Sequence, residues 1–141
     1  MRNAVSTFCF NPVTEQEVAK IVLSFDNKYS AGFDEIPVIV IKKSISFIIK
    51  PINHLINSSL ISGIFPEKLK ISKVVPIFKK GSTKDVSCYR PVSILPSFSK
   101  IYERIVYNQL LKFLESNSLL NEEQHGFLPG RSTITAEVEF I

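Results

Sequence analysis

The amino-acid sequence predicts an α+β fold that is mostly helical and contains one antiparallel β-hairpin. Three patterns support this: a capping box followed by apolar residues at helical spacing near the N-terminus, a long helical periodicity after Ser97, and two short β-branched segments flanking a basic turn. The 141 residues, 45% of them hydrophobic, suffice for one ordinary domain. With no repeat or low-complexity linker present, we treat the chain as continuous.

The helices have recognisable start signals. Thr14 and Glu17 have the spacing of a capping box, and the apolar residues that follow predict a helix over 14–26. Pro66 begins a short helical turn. Apolar positions from Ser97 to Asn117 trace one helical face, and Ser132 can cap a final helix after a loop.

The most apolar stretch of the chain follows Pro37. We expect a buried helix that Pro51 kinks or divides and that ends near Gly63. His54 lies on this stretch and is expected to pack in the core rather than act as a base. Lysines interrupt the stretch, so it is too short to span a bilayer. The N-terminus also lacks the apolar segment of a signal peptide.

The predicted hairpin lies in the middle of the chain. Residues 73–78 and 89–95 are short and rich in β-branched residues, and the intervening Lys79-Lys80-Gly81-Ser82 supplies turn residues. Proline is tolerated in strands mainly at sheet edges or bulges. Pro76 and Pro91 therefore predict that this hairpin is peripheral.

Charge is distributed unevenly along the chain. Residues 42–112 hold 13 basic and 3 acidic side chains, a net charge of +10, whereas the segments before and after them are acidic. The overall net charge is only +4. A strongly basic middle segment between acidic ends predicts contact with a polyanion.

Several common kinds of site are excluded by the sequence. Cys9 and Cys88 have no C-x-x-C spacing, so a structural zinc site is excluded and a reducing compartment is expected. No G-x-G-x-x-G or Walker A loop occurs, and the segment from Gly126 to Ser132 has the wrong spacing for the latter. No nucleophile elbow is present.

The remaining candidate site is the hairpin turn. Lys79, Lys80, Lys84 and Arg90 cluster around it, and turn cations with exposed backbone N–H groups suit phosphate oxygens. The alternative is a solvated loop whose charges only prevent edge-strand aggregation.

Five ordered motifs give the sequence a family resemblance. They begin at Ser30, Gly63, Lys73, Tyr89 and Gln124, and read SAGFDEIP, GIFP, KVVPIFKKG, YRPVSIL followed by SKIYER, and QHGFLPGRST. Over about residues 15–141 the chain closely resembles the N-terminal part of reverse transcriptases, RNA-directed DNA polymerases of non-LTR retrotransposons of the LINE and jockey-like group. It departs from their usual pattern at Phe33, where Pro is usual, at Glu35, where Gly is usual, and at Leu128, which is often Arg.

The resemblance implies part of a right-hand polymerase, with an N-terminal extension over 1–14, fingers over 15–117 and the start of the palm over 118–141. It implies that Arg90 and Lys79, or alternatively Lys80, bind the incoming nucleotide triphosphate. Lys73 and Lys84 would contact nucleic acid. Residues implied to shape the nucleotide and template channel are Gln124, Gly126, Phe127 and Arg131.

The resemblance also implies an RNA template, a DNA primer and deoxynucleotides as partners, no membrane, and a location in cytoplasm or nucleus. Polymerisation in this family uses Mg²⁺ held by palm aspartates. No aspartate follows Asp85, so we expect no metal site or other cofactor here, and no activity from this part alone unless the missing palm and thumb are encoded downstream. A non-catalytic basic nucleic-acid-binding module and a genomic remnant without selected function remain the alternatives.

Overall fold

The computed structural model describes residues 7–121, 124–126, 128 and 130–139. Helices α1 (Glu15–Ser24) and α2 (Val38–Ser62) come first, strands β1 (Lys73–Phe78) and β2 (Tyr89–Ile94) follow, and helices α3 (Ser97–Ser116) and α4 (Thr133–Glu139) come last. Short 3₁₀ turns lie at Glu67–Lys70 and Val86–Cys88. The predicted α+β class is therefore confirmed, as are the hairpin and the predicted helix starts.

The residue contacts divide the chain into two compact units. One unit is Phe10–Tyr107, and the other is Met1–Cys9 with Asn108–Ile141. The boundary falls within α3. Among the described residues, no helix combines the length and apolar character that crossing a membrane requires.

The hydrophobic core of the Phe10–Tyr107 unit is formed by α1, α2 and the first half of α3. Apolar residues recur on one face of each helix, at the spacing that an amphipathic helix requires. The buried core residues are Val18 and Val22 of α1, Ile41, Ile45, Ile52 and Ile56 of α2, and Ile101, Tyr102 and Ile105 of α3.

Both ends of α1 are capped by side chains. Thr14 Oγ accepts from Glu17 N at 3.2 Å, and Glu17 Oε2 accepts from Thr14 N at 2.8 Å, which is the predicted capping box. The backbone hydrogen bond from Thr14 lowers the pKa of the Glu17 carboxyl. At the other end, Lys42 Nζ donates to Phe25 O at 2.7 Å. The positive ammonium group there interacts favourably with the negative end of the helix dipole.

Helix α2 runs through Pro51 as one helix, so of the two effects expected of this proline, a kink or a division, the division does not occur. Proline removes the hydrogen bond to the carbonyl four residues earlier, which belongs to Phe47. Pro51 is exposed and Phe47 is 86% exposed, so water can reach this carbonyl. His54 is also exposed, which overturns its expected place in the core. The helix ends as predicted, with Gly63 in the left-handed region at φ 69°.

The turn before α2 is held against the start of α3. A Cβ atom added to Gly32 would lie 2.7 Å from Pro96 N and 2.9 Å from the carbonyl carbon of Leu95. Ser97 is almost fully buried, and its Oγ donates to Ile36 O at 2.7 Å. A hydroxyl with a backbone partner can be buried at little cost. Only glycine permits so close an approach of the two backbones.

Glu35 has a left-handed backbone at φ 57°. Its N–H donates to Gly32 O at 3.3 Å and closes the turn. L-residues other than Asn and Asp rarely adopt this conformation, because Cβ approaches the carbonyl oxygen. The strain gives a physical reason for the glycine that the resembling family usually has at this position.

In the second unit, the Phe8 and Phe113 rings contact each other edge to face, with centroids 5.3 Å apart. Asn117 Nδ2 donates to Phe113 O at 2.8 Å near the end of α3. Gly130, which precedes α4, is left-handed at φ 75°. The glycine of the Pro-Gly-Arg sequence is therefore used for its conformational freedom.

We expect Glu35→Gly to stabilise the chain by up to about 1 kcal/mol, since relief of left-handed strain exceeds the added entropy of the unfolded chain. The midpoint of urea unfolding measures this change. Glu35→Ala removes the same side chain but keeps a Cβ, so it should give no such gain. Equal stabilisation by both variants would contradict backbone strain as the cause.

Gly32→Ala is expected to destabilise the chain by about 1–3 kcal/mol, because the new methyl group meets backbone that cannot move independently. Gly126→Ala is the matched control, since no atom of the other described residues, its chain neighbours aside, lies within 4 Å of the added Cβ, and its φ is not positive. Unfolding midpoints report both changes. Similar midpoints for the two variants would show that the close approach at Gly32 is absent.

Candidate functional site

The hairpin register is defined by two prolines that face each other. Strands β1 and β2 pair antiparallel with Pro76 opposite Pro91 and Ile77 opposite Arg90. Lys79 N donates to Cys88 O at 2.8 Å, which makes residues 79 and 88 a hydrogen-bonded pair. Such pairs alternate with non-hydrogen-bonded ones, so both prolines occupy positions where no N–H is needed between the strands.

This register places Lys79 and Arg90 on one face of the hairpin. Side chains alternate between faces along a strand, and directly opposite residues share a face. Arg90 is opposite Ile77, two residues from Lys79, so Lys79 and Arg90 are diagonal neighbours about 7–8 Å apart. Both residues are exposed. Two long cationic side chains at this separation can converge on one anion.

We call this surface the basic face. It carries Lys73 at the base of the hairpin and Lys79 and Arg90 near its tip, with apolar residues between them. At about 3.4 Å per residue, Lys73 lies roughly 20 Å along the strand from Lys79. Lys73 is therefore too distant to share a small ligand with Lys79, but it can contact an extended one.

The loop over 79–88 is held by several internal hydrogen bonds. Asp85 N donates to Ser82 O, and Cys88 N donates to Asp85 O, each at 3.1 Å. Lys84 N donates to Ser82 Oγ at 3.3 Å. The N–H groups of Lys79 and Lys84 already have acceptors, contrary to the expected exposed backbone donors. Side chains must therefore supply the contacts to a phosphate at these two residues.

Two further contacts in the loop were not predicted from the sequence. Tyr89 Oη donates to Thr83 O at 2.9 Å, and the Tyr89 ring contacts Phe78 edge to face with centroids 5.5 Å apart. Gly81 is at φ 100°, and an added Cβ would lie 2.6 Å from Cys88 Sγ. The sequence features that could have indicated these contacts are the aromatic residues Phe78 and Tyr89 at the strand ends and the single glycine of the turn.

Asp85 is the one acidic residue of the loop. Its carboxylate accepts from Ser87 N at 2.9 Å and caps the 3₁₀ turn Val86–Cys88. This backbone hydrogen bond lowers the pKa of Asp85. The carboxylate is therefore used locally, while Lys79, Lys80, Lys84 and Arg90 form no ion pair among the described residues.

The other predicted site residues fall into two groups. Lys80 and Lys84 are exposed in the hairpin loop with Lys79. Gln124, Gly126 and Arg131 belong to the second unit, where Gln124 Nε2 donates to Gly126 O at 3.3 Å. Phe127 lies outside the described residues. The structure thus brings together the hairpin cations as one group.

The described residues do not fit a Mg²⁺ site. No group of three or more His, Cys, Asp or Glu side chains within them comes close enough to hold a metal ion. Mg²⁺ requires several oxygen ligands in near-octahedral geometry. The hairpin itself presents cations, which repel a free metal ion and attract an anion.

No protein-family model matches the chain. The chain is 33% identical over 116 residues to the RNA-directed DNA polymerase from mobile element jockey of Drosophila melanogaster. It is 31% identical over 118 residues to the corresponding jockey protein of Drosophila funebris, and 29% identical over 124 residues to a probable RNA-directed DNA polymerase from transposon BS of Drosophila melanogaster.

These matches cover 82–87% of this chain but only 13–14% of each relative. They confirm the resemblance that the five sequence motifs indicated. The chain is therefore homologous to one segment of the RNA-directed DNA polymerases of jockey-like, non-LTR mobile elements.

Proposed function

We propose that the chain is the nucleotide-contacting fingers region of an RNA-directed DNA polymerase, over residues 15–117, with residues 118–141 leading into the palm. The observation that carries this proposal is the diagonal placement of Lys79 and Arg90 on one exposed face of a hairpin with a fixed register. The homology to RNA-directed DNA polymerases supports a nucleotide as the anion.

The two side chains have complementary roles in this proposal. The Arg90 guanidinium donates to two phosphate oxygens at once, whereas the Lys79 ammonium acts as a point charge. Lys80, the next residue, is the alternative partner. Lys79 is still paired with Cys88 across the hairpin, whereas Lys80 lies in the bend beyond this pair, so Lys79 suits the Arg90 face better than Lys80 does.

An extended nucleic acid would use the remaining cations. Lys73 at the base of the basic face and Lys84 in the loop are positioned to contact phosphates of a template strand. We assign Gln124, Gly126, Phe127 and Arg131 to the shaping of the nucleotide and template channel, on the strength of their sequence motif alone.

Chemistry on the triphosphate needs further residues. In two-metal catalysis, Mg²⁺ ions stabilise the attacking and leaving oxygens of the phosphoryl transfer. The described residues do not supply such a site. The chain is therefore expected to bind a nucleotide without joining it to a primer. Robust primer extension on an RNA template by the purified chain with magnesium would contradict this expectation.

The replacement Lys79→Gln with Arg90→Gln is expected to weaken deoxynucleoside triphosphate binding by at least about tenfold, because it removes two charge-assisted phosphate contacts. Binding can be measured by titration with a fluorescent deoxynucleotide. Lys68→Gln removes an exposed cation outside the hairpin and should leave binding unchanged. Lys80→Gln tests which lysine is the partner. An equal loss of deoxynucleotide affinity in the Lys68→Gln variant would indicate that the nucleotide is attracted by the overall positive charge and not by a site on the hairpin.

A second candidate is a non-catalytic module that binds RNA through the basic middle segment. The excess of 13 basic over 3 acidic residues favours it. RNA affinity should then fall with salt at a log–log slope of about −2 to −4, corresponding to roughly three to five neutralised phosphates on a single strand. An affinity independent of salt would exclude this module.

A further inference from the structure

A cleft outside the hairpin lies within the Phe10–Tyr107 unit and has a volume of about 580 Å³. One wall is a face of α3, another is the segment after α1, and the buried Val38 at the start of α2 contributes to the lining. The lining residues are Phe25, Asp26, Lys28, Val38, Lys100, Glu103, Arg104 and Tyr107. None of the site residues predicted from the sequence lines this cleft.

The α3 wall is a polar stripe opposite the buried face of the helix. Lys100, Glu103, Arg104 and Tyr107 have the spacing of one helical face, while the neighbouring Ile101 and Ile105 are buried in the core. The Arg104 guanidinium carbon lies 6.0 Å from the centre of the Tyr107 ring, and Tyr107 is 38% exposed. A planar cation and an aromatic ring are therefore adjacent in the wall.

Two cations of the cleft have no acidic partner among the residues that the structure describes. Asp26 Oδ2 lies 3.3 Å from Lys28 Nζ, so this carboxylate is already paired. Neither Lys100 nor Arg104 forms an ion pair within the described part of the chain. Their ammonium and guanidinium groups can therefore bind a ligand anion.

The remaining residues restrict the ligand further. Glu103 repels a ligand that is only an anion, but it accepts a hydrogen bond from a ligand that also carries N–H or O–H donors. Phe25 and Tyr107 provide aromatic surface for a planar group. A phosphate, a planar base and hydrogen-bond donors occur together in a nucleotide.

We propose that this cleft binds a nucleotide unit, with its phosphate at Lys100 and Arg104 and its base against Tyr107 and Phe25. This goes beyond the proposed function, because the residues are separate from the hairpin cations and neither site requires the other. The unit can belong to a single-stranded nucleic acid or to a free mononucleotide. Aromatic rings accept any base, so we expect little sequence preference.

Photocrosslinking locates the bound base directly. The purified chain is irradiated with a short single-stranded oligodeoxynucleotide containing bromodeoxyuridine, and the crosslinked peptides are identified by mass spectrometry. We expect adducts on the peptides that contain Phe25 or Tyr107. If a free mononucleotide suppresses the adducts at concentrations similar to those of the oligonucleotide, the ligand is the mononucleotide. If only single-stranded oligonucleotides suppress the adducts, the ligand is a nucleic-acid strand.

Amino-acid replacements distinguish binding in the cleft from binding at the hairpin. Lys100→Gln with Arg104→Gln should reduce cleft adducts and oligonucleotide affinity by at least about fivefold, since phosphate contacts dominate such affinity. The hairpin pair Lys79→Gln with Arg90→Gln should leave the cleft adducts in place. Lys112→Gln, an exposed cation further along α3, is the matched control and should change neither.

A second pair of variants tests the aromatic contact. Tyr107→Phe keeps the ring and should retain the adducts, whereas Tyr107→Leu should reduce them, with circular dichroism spectra confirming that each variant is folded. Adducts confined to hairpin peptides would overturn the cleft proposal and leave the proposed function intact. Unchanged cleft adducts in the Lys100 and Arg104 double variant would also overturn it.

Discussion

The pairing of Pro76 with Pro91 is the constraint on which the candidate site depends. Proline lacks the N–H that an inner ladder position needs, and the observed register satisfies both prolines at once. If the register of the strands shifted by one residue, one of the prolines would occupy a hydrogen-bonded position between the strands, and a hydrogen bond would be lost. The same slip would move Arg90 opposite Phe78, on the other face from Lys79. The residues that limit strand pairing thus also keep the two cations together.

The hairpin is attached to the helical core through its C-terminal end. Strand β2 ends at Ile94, and the next residues are held by the close approach of Gly32 to Leu95 and Pro96 and by the buried hydroxyl of Ser97. Ser99 Oγ also donates to Leu69 O, close to the start of β1. The sequence motif at residues 30–37 therefore has a structural role in this chain, because it fixes the backbone that follows the arginine-bearing strand.

Local patterns predicted most of the fold. The capping box at Thr14, the apolar face of α3 and the glycine after α2 each depend on neighbouring residues, so they could be identified from the sequence. The continuous helix through Pro51 and the exposure of His54 depend on which side of α2 faces the core, which tertiary packing decides. The cleft joins residues 25–28 to residues 100–107, and no local pattern reports that contact. The clustering of the hairpin cations could be predicted from the sequence. That Lys79 and Arg90 lie on the same face could be recognised only once the strand register was known.

We propose that Lys79 and Arg90 together bind one triphosphate on the basic face of the hairpin. Nuclear magnetic resonance of the labelled chain during titration with a deoxynucleoside triphosphate tests it most directly, because it reports every backbone amide separately. Saturable chemical-shift changes are expected at the amides of Ile77, Lys79 and Arg90, with little change near Lys68. Shift changes of equal size at all exposed lysines, or no shift changes in the hairpin, would show that Lys79 and Arg90 do not form a triphosphate site.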